Sequence, residues 1–141
     1  LLGPLPGIGV WDPAWSPDGS TIAYLGSTDV RVCDGSSTES CQDQWELRVM
    51  AVDLNGLEPR ELVRAGRCFC LGFAPGLDWS PDGTSLTFSS LGGPGIPEGD
   101  PTGNDGDSRL LVMNADGTGL RYVAAQAWGS PAWQPVPAPA P

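Results

Sequence analysis

Short apolar runs of β-forming residues recur along the chain and are separated by turn sequences. Runs of four to eight such residues, bounded by Gly, Pro, Asn or Asp, are typical of strands. The first half contains runs at residues 21–25, 46–52 and 60–63, and the second half contains runs at 85–89, 109–113 and 120–123. Each set follows a tryptophan-containing segment that predicts a first strand. The pattern therefore predicts two four-stranded antiparallel meanders.

The same turn sequence follows the first strand of each half. Ser, Pro, Asp and Gly suit positions i to i+3 of a type I turn, because Pro presets φ and Gly relieves the exit. The repeat comprises Trp15, Ser16, Pro17, Asp18 and Gly19, and again Trp79, Ser80, Pro81, Asp82 and Gly83. A third copy of the motif begins at Ala132-Trp133-Gln134-Pro135. An internal repeat predicts one structural unit per copy, with structural Asp side chains and tryptophans in the core.

These motifs resemble the TolB-like (WD-repeat-like) β-propeller repeat. The resemblance rests on the turn, on the Leu-(Arg/Leu)-Val-Met strand and on the (Asn/Asp)-Gly hairpin, and it covers residues 11–135. It implies an all-β fold of two four-stranded antiparallel propeller-type blades plus the first strand of a third. The expected bounds are 11–65, 77–124 and 131–135, in one domain (1–135) followed by a Pro/Ala tail (136–141). Fold is implied more firmly than function, because propellers host unrelated activities.

Two blades raise the question of what covers their outer faces. Closed propellers use about four to eight blades, and the runs 47–52 and 110–113 are apolar at nearly consecutive positions, as in strands buried on both faces. Three solutions are open: a fragment of a longer propeller, a self-closing two-blade sandwich, or a subunit whose sheets are completed by other copies.

The third solution is the leading hypothesis, because residues 128–133 echo residues 11–15 and form a first strand without a blade. Donation of such a strand would be β-augmentation, and a head-to-tail contact would build a ring or a filament. The predicted assembly residues are Trp128, Pro131, Ala132 and Trp133, with Leu2, Leu5, Ile8 and Val10 as apolar contacts of the other terminus.

Acidic residues concentrate between the second and third strands of each half. Residues 26–44 and 91–108 hold eight of the 17 acidic side chains and contribute most of the net charge of −10. They predict an acidic rim, which disfavours nucleic acid as a partner because phosphate binding needs clustered basic groups. No cofactor and no metal are expected, except that the second insertion offers oxygen ligands for Ca²⁺ without the spacing of an EF-hand; an Asx-turn loop is the alternative. The calcium candidates are Asp100, Asn104, Asp105 and Asp107.

Four cysteines, Cys33, Cys41, Cys68 and Cys70, fit no zinc motif, and the chain contains no histidine. An even count favours disulfides in an oxidising compartment. The local pairs Cys33–Cys41 and Cys68–Cys70 are favoured, while crosswise pairing remains open because the i to i+2 bridge would be strained. A first residue other than Met and the lack of a basic n-region suggest a mature or excised product. Together these features predict a secreted, cell-surface or periplasmic location, and no apolar run approaches transmembrane length.

Catalysis finds little support in the residue types present. Without His, Lys or a Gly-x-Ser-x-Gly elbow, the common base and nucleophile pairs are missing. The sequence therefore predicts a non-enzymatic structural or interaction module that assembles with other copies of itself. The alternative, implied by the resemblance, is part of a periplasmic TolB-like propeller that serves as a protein-binding platform. A propeller that gates a prolyl-oligopeptidase-like enzyme would need a hydrolase domain that these residues do not supply.

Overall fold

Two antiparallel sheets make up the structure. The computed structural model describes residues 8–33, 41–56, 58–68, 76–91, 108–125 and 129–134. The strands are β1 (Ile8–Trp15), β2 (Thr21–Cys33), β3 (Cys41–Asp53), β4 (Pro59–Cys68), β5 (Leu77–Trp79), β6 (Ser85–Leu91), β7 (Ser108–Asn114) and β8 (Arg121–Ala125). The orders β1-β2-β3-β4 and β5-β6-β7-β8 define blade 1 and blade 2. The prediction of an all-β fold with two four-stranded propeller-type blades is confirmed.

The β2–β3 hairpin is longer than the apolar pattern predicts. Its strands pair without interruption from Thr21 opposite Asp53 to Cys33 opposite Cys41. Polar residues continue the ladder because each backbone N–H and C=O that extends it finds a partner on the other strand. Most of the insertion predicted at residues 26–44 is therefore a hairpin arm.

The turns confirm the repeat. Gly19 N donates to the carbonyl of Ser16 at 2.9 Å, and Gly83 makes the same i to i+3 bond at 2.8 Å in blade 2. The two glycines have φ values of 70° and 72°, a region that L side chains rarely adopt. Turns with an i to i+3 bond also close the second hairpins at residues 53–56 and 114–117. Glycine after Asp is therefore required at the exit of the repeated turn.

The main core lies between the facing surfaces of the two blades. Leu86 and Phe88 of β6 are fully buried against blade 1, and their cross-strand neighbours on β7 share that side. The core residues are Ala23, Leu25, Val49 and Ala65 from blade 1, and Leu77, Trp79, Leu86, Phe88, Leu111 and Met113 from blade 2. The blades therefore pack face to face, as successive propeller blades do.

Residues 131–134 belong to the predicted first strand of a third blade, and their position is compatible with an incomplete third blade. Residues 129–134 are described, but they join neither ladder. A first strand needs the second strand of its own blade for backbone pairing, and none of the described residues supplies one. The segment instead packs beside β5, as set out below.

Candidate binding site on the first strands

The Ser-Pro-Asp-Gly turn is held by side-chain hydrogen bonds. Ser16 Oγ donates to Asp18 Oδ1 at 2.6 Å, and Ser20 N donates to the same oxygen at 3.0 Å. Thr21 N in turn donates to Ser16 Oγ at 2.9 Å. The same bonds recur among Ser80, Asp82, Thr84 and Ser85. The carboxylates of both turns thus satisfy the backbone of the chain that follows them.

These hydrogen bonds keep the turn carboxylates ionised. The Ser16 hydroxyl, followed by the backbone and side chain of Ser20, lowers the pKa of Asp18 from 3.8 to about 2. Ser80 and Thr84 lower the pKa of Asp82 to about 2 in the same way. A group with such a pKa carries no proton at neutral pH, so neither carboxyl can act as a general acid there.

A groove of about 430 Å³ opens between the two turns. Its lining includes both carboxylates, Arg60 and Trp79. Both carboxylates are hydrogen-bonded within their turns. The charged groups that line the groove are therefore two ionised carboxylates and the guanidinium of Arg60. The candidate binding surface lies instead on the first strands of the two blades, β1 and β5.

Trp79 anchors blade 2 to blade 1. Its indole Nε1 donates to the carbonyl of Ala14 at 3.0 Å, and only 7% of the residue is exposed. A second link joins the sheets farther along, where Ser90 Oγ donates to the carbonyl of Ala65. The blade interface therefore pairs a tryptophan on one first strand with a small residue and its backbone carbonyl on the other.

The equivalent surface of blade 1 is exposed along its first strand, although its third strand is buried on the same side. Trp15 lies opposite Ile22 as Trp79 lies opposite Leu86, so the register makes Trp15 the counterpart of Trp79. Trp15 is 58% exposed, however, contrary to the prediction that it belongs to the core. We define the open face of blade 1 as Val10, Trp15, Ile22 and Tyr24, which share one side of β1 and β2. Partial burial raises the pKa of Tyr24.

The counterparts of this face in blade 2 are buried by blade 1. Leu86 and Phe88 are fully buried, whereas the equivalent Ile22 and Tyr24 are half-buried and Val10 is 56% exposed. The difference arises because a sheet covers the near face of blade 2 and none of the described residues places a sheet over blade 1. The open face is therefore apolar and exposed mainly along β1, as is typical of an interaction surface.

Residues 129–134 dock on the far side of β5. Trp133 N donates to Asp78 Oδ2 at 2.9 Å, and Asp78 Oδ1 accepts from Trp79 N at 3.0 Å. A Cβ added to Gly76 would lie 2.1 Å from the Cα of Ser130, so a glycine is needed for this approach. The predicted assembly residues Pro131, Ala132 and Trp133 are thus brought to blade 2 of their own chain.

Several predicted site residues lie outside the described residues. They are Leu2, Leu5, Trp128, Cys70 and the calcium candidates Asp100, Asn104, Asp105 and Asp107. Ile8 begins β1. The calcium site, the assembly contacts of the N terminus and the acidic rim therefore stay predictions.

The cysteine prediction gains a backbone register. Cys33 and Cys41 are directly opposite on β2 and β3, which is the arrangement that the local pair requires. Cys68 ends β4 opposite Trp45. Disulfide formation itself stays a prediction.

Charged residues within the sheets escaped the apolar pattern. Arg48 bridges Glu46 at 2.7 Å and Glu61 at 3.0 Å, and Arg64 contacts Glu61 at 3.0 Å. Arg109, taken as the edge of an apolar run, is 2% exposed on β7. Opposite charges at alternate positions, Glu46 and Arg48, were the feature of the sequence that could have predicted an ion pair within the strand. The two pairs with Glu61 are partly exposed on both sides and contribute little to stability.

No family model matches the chain, and no curated protein sequence matches it. Three solved structures are similar to it. Against TolB from Acinetobacter baumannii the TM-score is 0.49 at 17% identity, covering 82% of this chain and 21% of that one. Against an oligogalacturonate lyase in complex with manganese the TM-score is 0.43 at 23% identity, covering 84% and 23%. Against a nidogen/laminin complex the TM-score is 0.38 at 13% identity, covering 91% and 52%.

The chain thus spans about a fifth of the length of the first two proteins and about half of the third. At these identities the similarity concerns fold alone. None of the described residues forms a helix that is long and apolar enough to span a membrane.

Proposed function

We propose that this chain is a non-enzymatic protein-binding module of the propeller type, and that it engages its partner through the open face of blade 1. The observation that carries the proposal is the contrast between Trp15, 58% exposed, and its repeat counterpart Trp79, 7% exposed. Exposed tryptophan on a sheet face is typical of protein interfaces, where large aromatic side chains supply most of the binding energy.

The chemistry of the partner is suggested by the internal blade interface. Trp79 packs on a sheet face that presents small residues, Ala14 and Ala23, and its indole bonds to a backbone carbonyl. A partner for Trp15 should offer the same features: a β-sheet face with small side chains and an accessible carbonyl. A further propeller-type blade has these properties.

The absence of catalysis belongs to the same proposal. The two repeated carboxylates, Asp18 and Asp82, are accounted for by turn hydrogen bonds, with their pKa lowered to about 2. Their recurrence in both blades supports a structural role. A secreted, cell-surface or periplasmic location remains part of the proposal and rests on the cysteines and on the repeat resemblance.

The test compares Trp15→Ser with Leu54→Ser. Leu54 is an apolar residue, 37% exposed in the β3–β4 turn, and serves as the matched control. Each immobilised chain is incubated with extract of the host cells, bound proteins are quantified by mass spectrometry, and the protein that Trp15→Ser loses is purified for affinity measurement. We expect its affinity to fall about tenfold or more in Trp15→Ser and to persist in Leu54→Ser. A set of bound proteins that is identical for the two variants would refute the proposal.

Self-assembly is the second candidate function. It is favoured by one observation: the segment at residues 129–134 repeats the end of β1 and already occupies a blade face. Assembly into a ring or filament would make the role structural.

A further inference from the structure

The far side of blade 2 is a docking surface for a Pro-Ala-Trp segment. We call residues 129–134 the cap, and we call Gly76 and Asp78 on the far side of β5 the cap site. The cap site receives Trp133 through the bond from its backbone N–H to Asp78 Oδ2, and it receives Ser130 over the bare backbone of Gly76. The surface therefore holds this segment through a close backbone approach and one carboxylate.

Two hydroxyls of β6 on this side of blade 2 already have hydrogen-bond partners. Thr87 Oγ1 donates to the carbonyl of Leu111 at 3.0 Å, and Ser89 Oγ accepts from Gly76 N at 2.8 Å. Both hydroxyls are satisfied within blade 2. A segment that docks over them therefore leaves neither hydroxyl without a hydrogen bond.

The same tripeptide occurs once more on the surface. Pro13-Ala14-Trp15 closes β1 and is identical in sequence to Pro131-Ala132-Trp133. In the repeat frame the two tripeptides occupy the same place, and the Trp15 side chain points away from blade 2 with 58% of the residue exposed. On the side that faces blade 2, this tripeptide already takes part in the blade interface, because the carbonyl of Ala14 accepts the bond from Trp79 Nε1.

We propose that a second copy of this chain competes with the cap for the cap site, presenting its Pro13-Ala14-Trp15 while β1 remains in its own sheet. The inference rests on the proposed function in that it uses the same open face of blade 1. The result is a head-to-tail contact in which the open face of one copy meets the far side of blade 2 of the next. Such a contact is heterologous, so it propagates into a ring or a filament.

The cap has the advantage of being tethered. A short linker gives an intramolecular segment an effective concentration on the order of millimolar. Against it, Trp133 Nε1 is buried without a hydrogen-bond partner among the described residues, whereas Trp79 Nε1 bonds to Ala14. The cap is thus an imperfect copy of the internal interface. We expect a capped monomer at micromolar concentration and association when the cap is weakened.

The experiment measures native mass by mass photometry and sedimentation. At about 10 µM, wild type and Leu54→Ser should be monomeric, because the tethered cap outcompetes a second copy. Trp133→Ala should associate, with an apparent dissociation constant at least about tenfold lower than that of wild type. Adding Trp15→Ala should restore the monomer, and adding Gly76→Ala should restore it as well, since a Cβ there obstructs any segment at the cap site.

A folded Trp133→Ala chain that stays monomeric would overturn the inference, and so would association that is unaffected by Trp15→Ala or Gly76→Ala. If Trp133→Ala does not fold, the decisive measurement uses the intact cap. Wild type at about 1 mM, near the effective concentration of the cap, should associate while Trp15→Ala should not. Equal masses for the two at that concentration would overturn the inference.

Failure here is distinguishable from failure of the proposed function. If Trp133→Ala remains monomeric while Trp15→Ser loses a different protein from host-cell extract, the open face binds a heterologous partner and the second copy is ruled out. If Trp133→Ala stays monomeric and Trp15→Ser binds the same proteins as Leu54→Ser, both proposals fail.

Discussion

The two turn carboxylates show how a short polar side chain directs the backbone. Asp18 accepts from the hydroxyl of Ser16 and from the backbone N–H of Ser20, and Asp82 accepts from the equivalent groups in blade 2. Each bond to the charged form favours ionisation, so the pKa of each carboxyl falls to about 2. The turn therefore depends on ionised aspartate.

Stability should consequently decline in acid. Because the pKa of Asp18 and of Asp82 is lower in the folded chain than the ordinary value of 3.8, their contribution is complete above about pH 4 and is lost as pH falls through about 2. Thermal melts between pH 5 and pH 2 should show this decline in wild type. Asp18→Asn/Asp82→Asn should melt lower at pH 7 and change less across the acid range, and an equally steep decline in the double variant would contradict the assignment.

Gly19 offers a second test at this scale. Its φ is 70° and an added Cβ would touch nothing within 4 Å, so Gly19→Ala tests backbone conformation without steric contact. Placing an L side chain in the left-handed region costs about 1–2 kcal/mol, and the free energy of unfolding should fall by that amount in urea titrations. Gly56→Ala is the control, since a Cβ there is also free of contacts and its φ lies outside that region. We expect it to be neutral or stabilising by up to about 1 kcal/mol, and equal losses in the two variants would contradict the argument.

Among the elements, the β2–β3 hairpin is the most extended. Its register runs to Cys33 opposite Cys41, well past the last residue of the apolar pattern. Backbone pairing runs along the whole arm, and a covalent link at its far end would hold the register. The hairpin therefore favours the local cysteine pair over the crosswise alternatives.

We expect nonreducing peptide mapping to recover a Cys33–Cys41 linkage. Closure of a loop of about nine residues stabilises the fold by roughly 2–3 kcal/mol in the chain-entropy treatment. Cys33→Ser/Cys41→Ser should lower the free energy of unfolding by about that amount under oxidising conditions, and reduction should remove the difference from wild type. Four titratable thiols in the unreduced chain would contradict the prediction.

At the scale of the whole molecule, one interface joins two sheets and an equivalent surface is left open. Trp79 and Trp15 hold the same place in the repeat, yet among the described residues only Trp79 finds a carbonyl acceptor and a sheet above it. The two outer faces therefore differ in the described part of the chain: Trp15 is exposed on blade 1, while the far side of blade 2 carries the cap.

The two tryptophans should respond differently to the same substitution. Trp79→Phe removes the indole bond to the carbonyl of Ala14, so we expect a loss of about 1–2 kcal/mol in the free energy of unfolding. Trp15→Phe changes an exposed side chain and should stay within about 0.5 kcal/mol of wild type. Urea denaturation of both variants at micromolar concentration measures the difference, and equal losses would refute the assignment of the interface.

The sequence by itself determined the local elements of this protein. Type I turns at residues 16–19 and 80–83, hairpin turns at 53–56 and 114–117, and the order of eight strands follow from Pro, Gly and Asx chemistry and from apolar runs. These interactions join residues that are close in sequence, so they can be predicted from one sequence. Repetition of the turn also indicated that two equivalent units follow one another.

Only the tertiary structure decided which surface of each unit is covered. Identical turn motifs place Trp79 in a core and Trp15 on the surface, because burial depends on whether another sheet lies opposite. The length of the β2–β3 arm, the burial of Arg109 and the docking of residues 129–134 on Asp78 likewise depend on partners that are distant in sequence. Periodicity reports which side of a strand is apolar, and the packing of sheets decides what that side contacts.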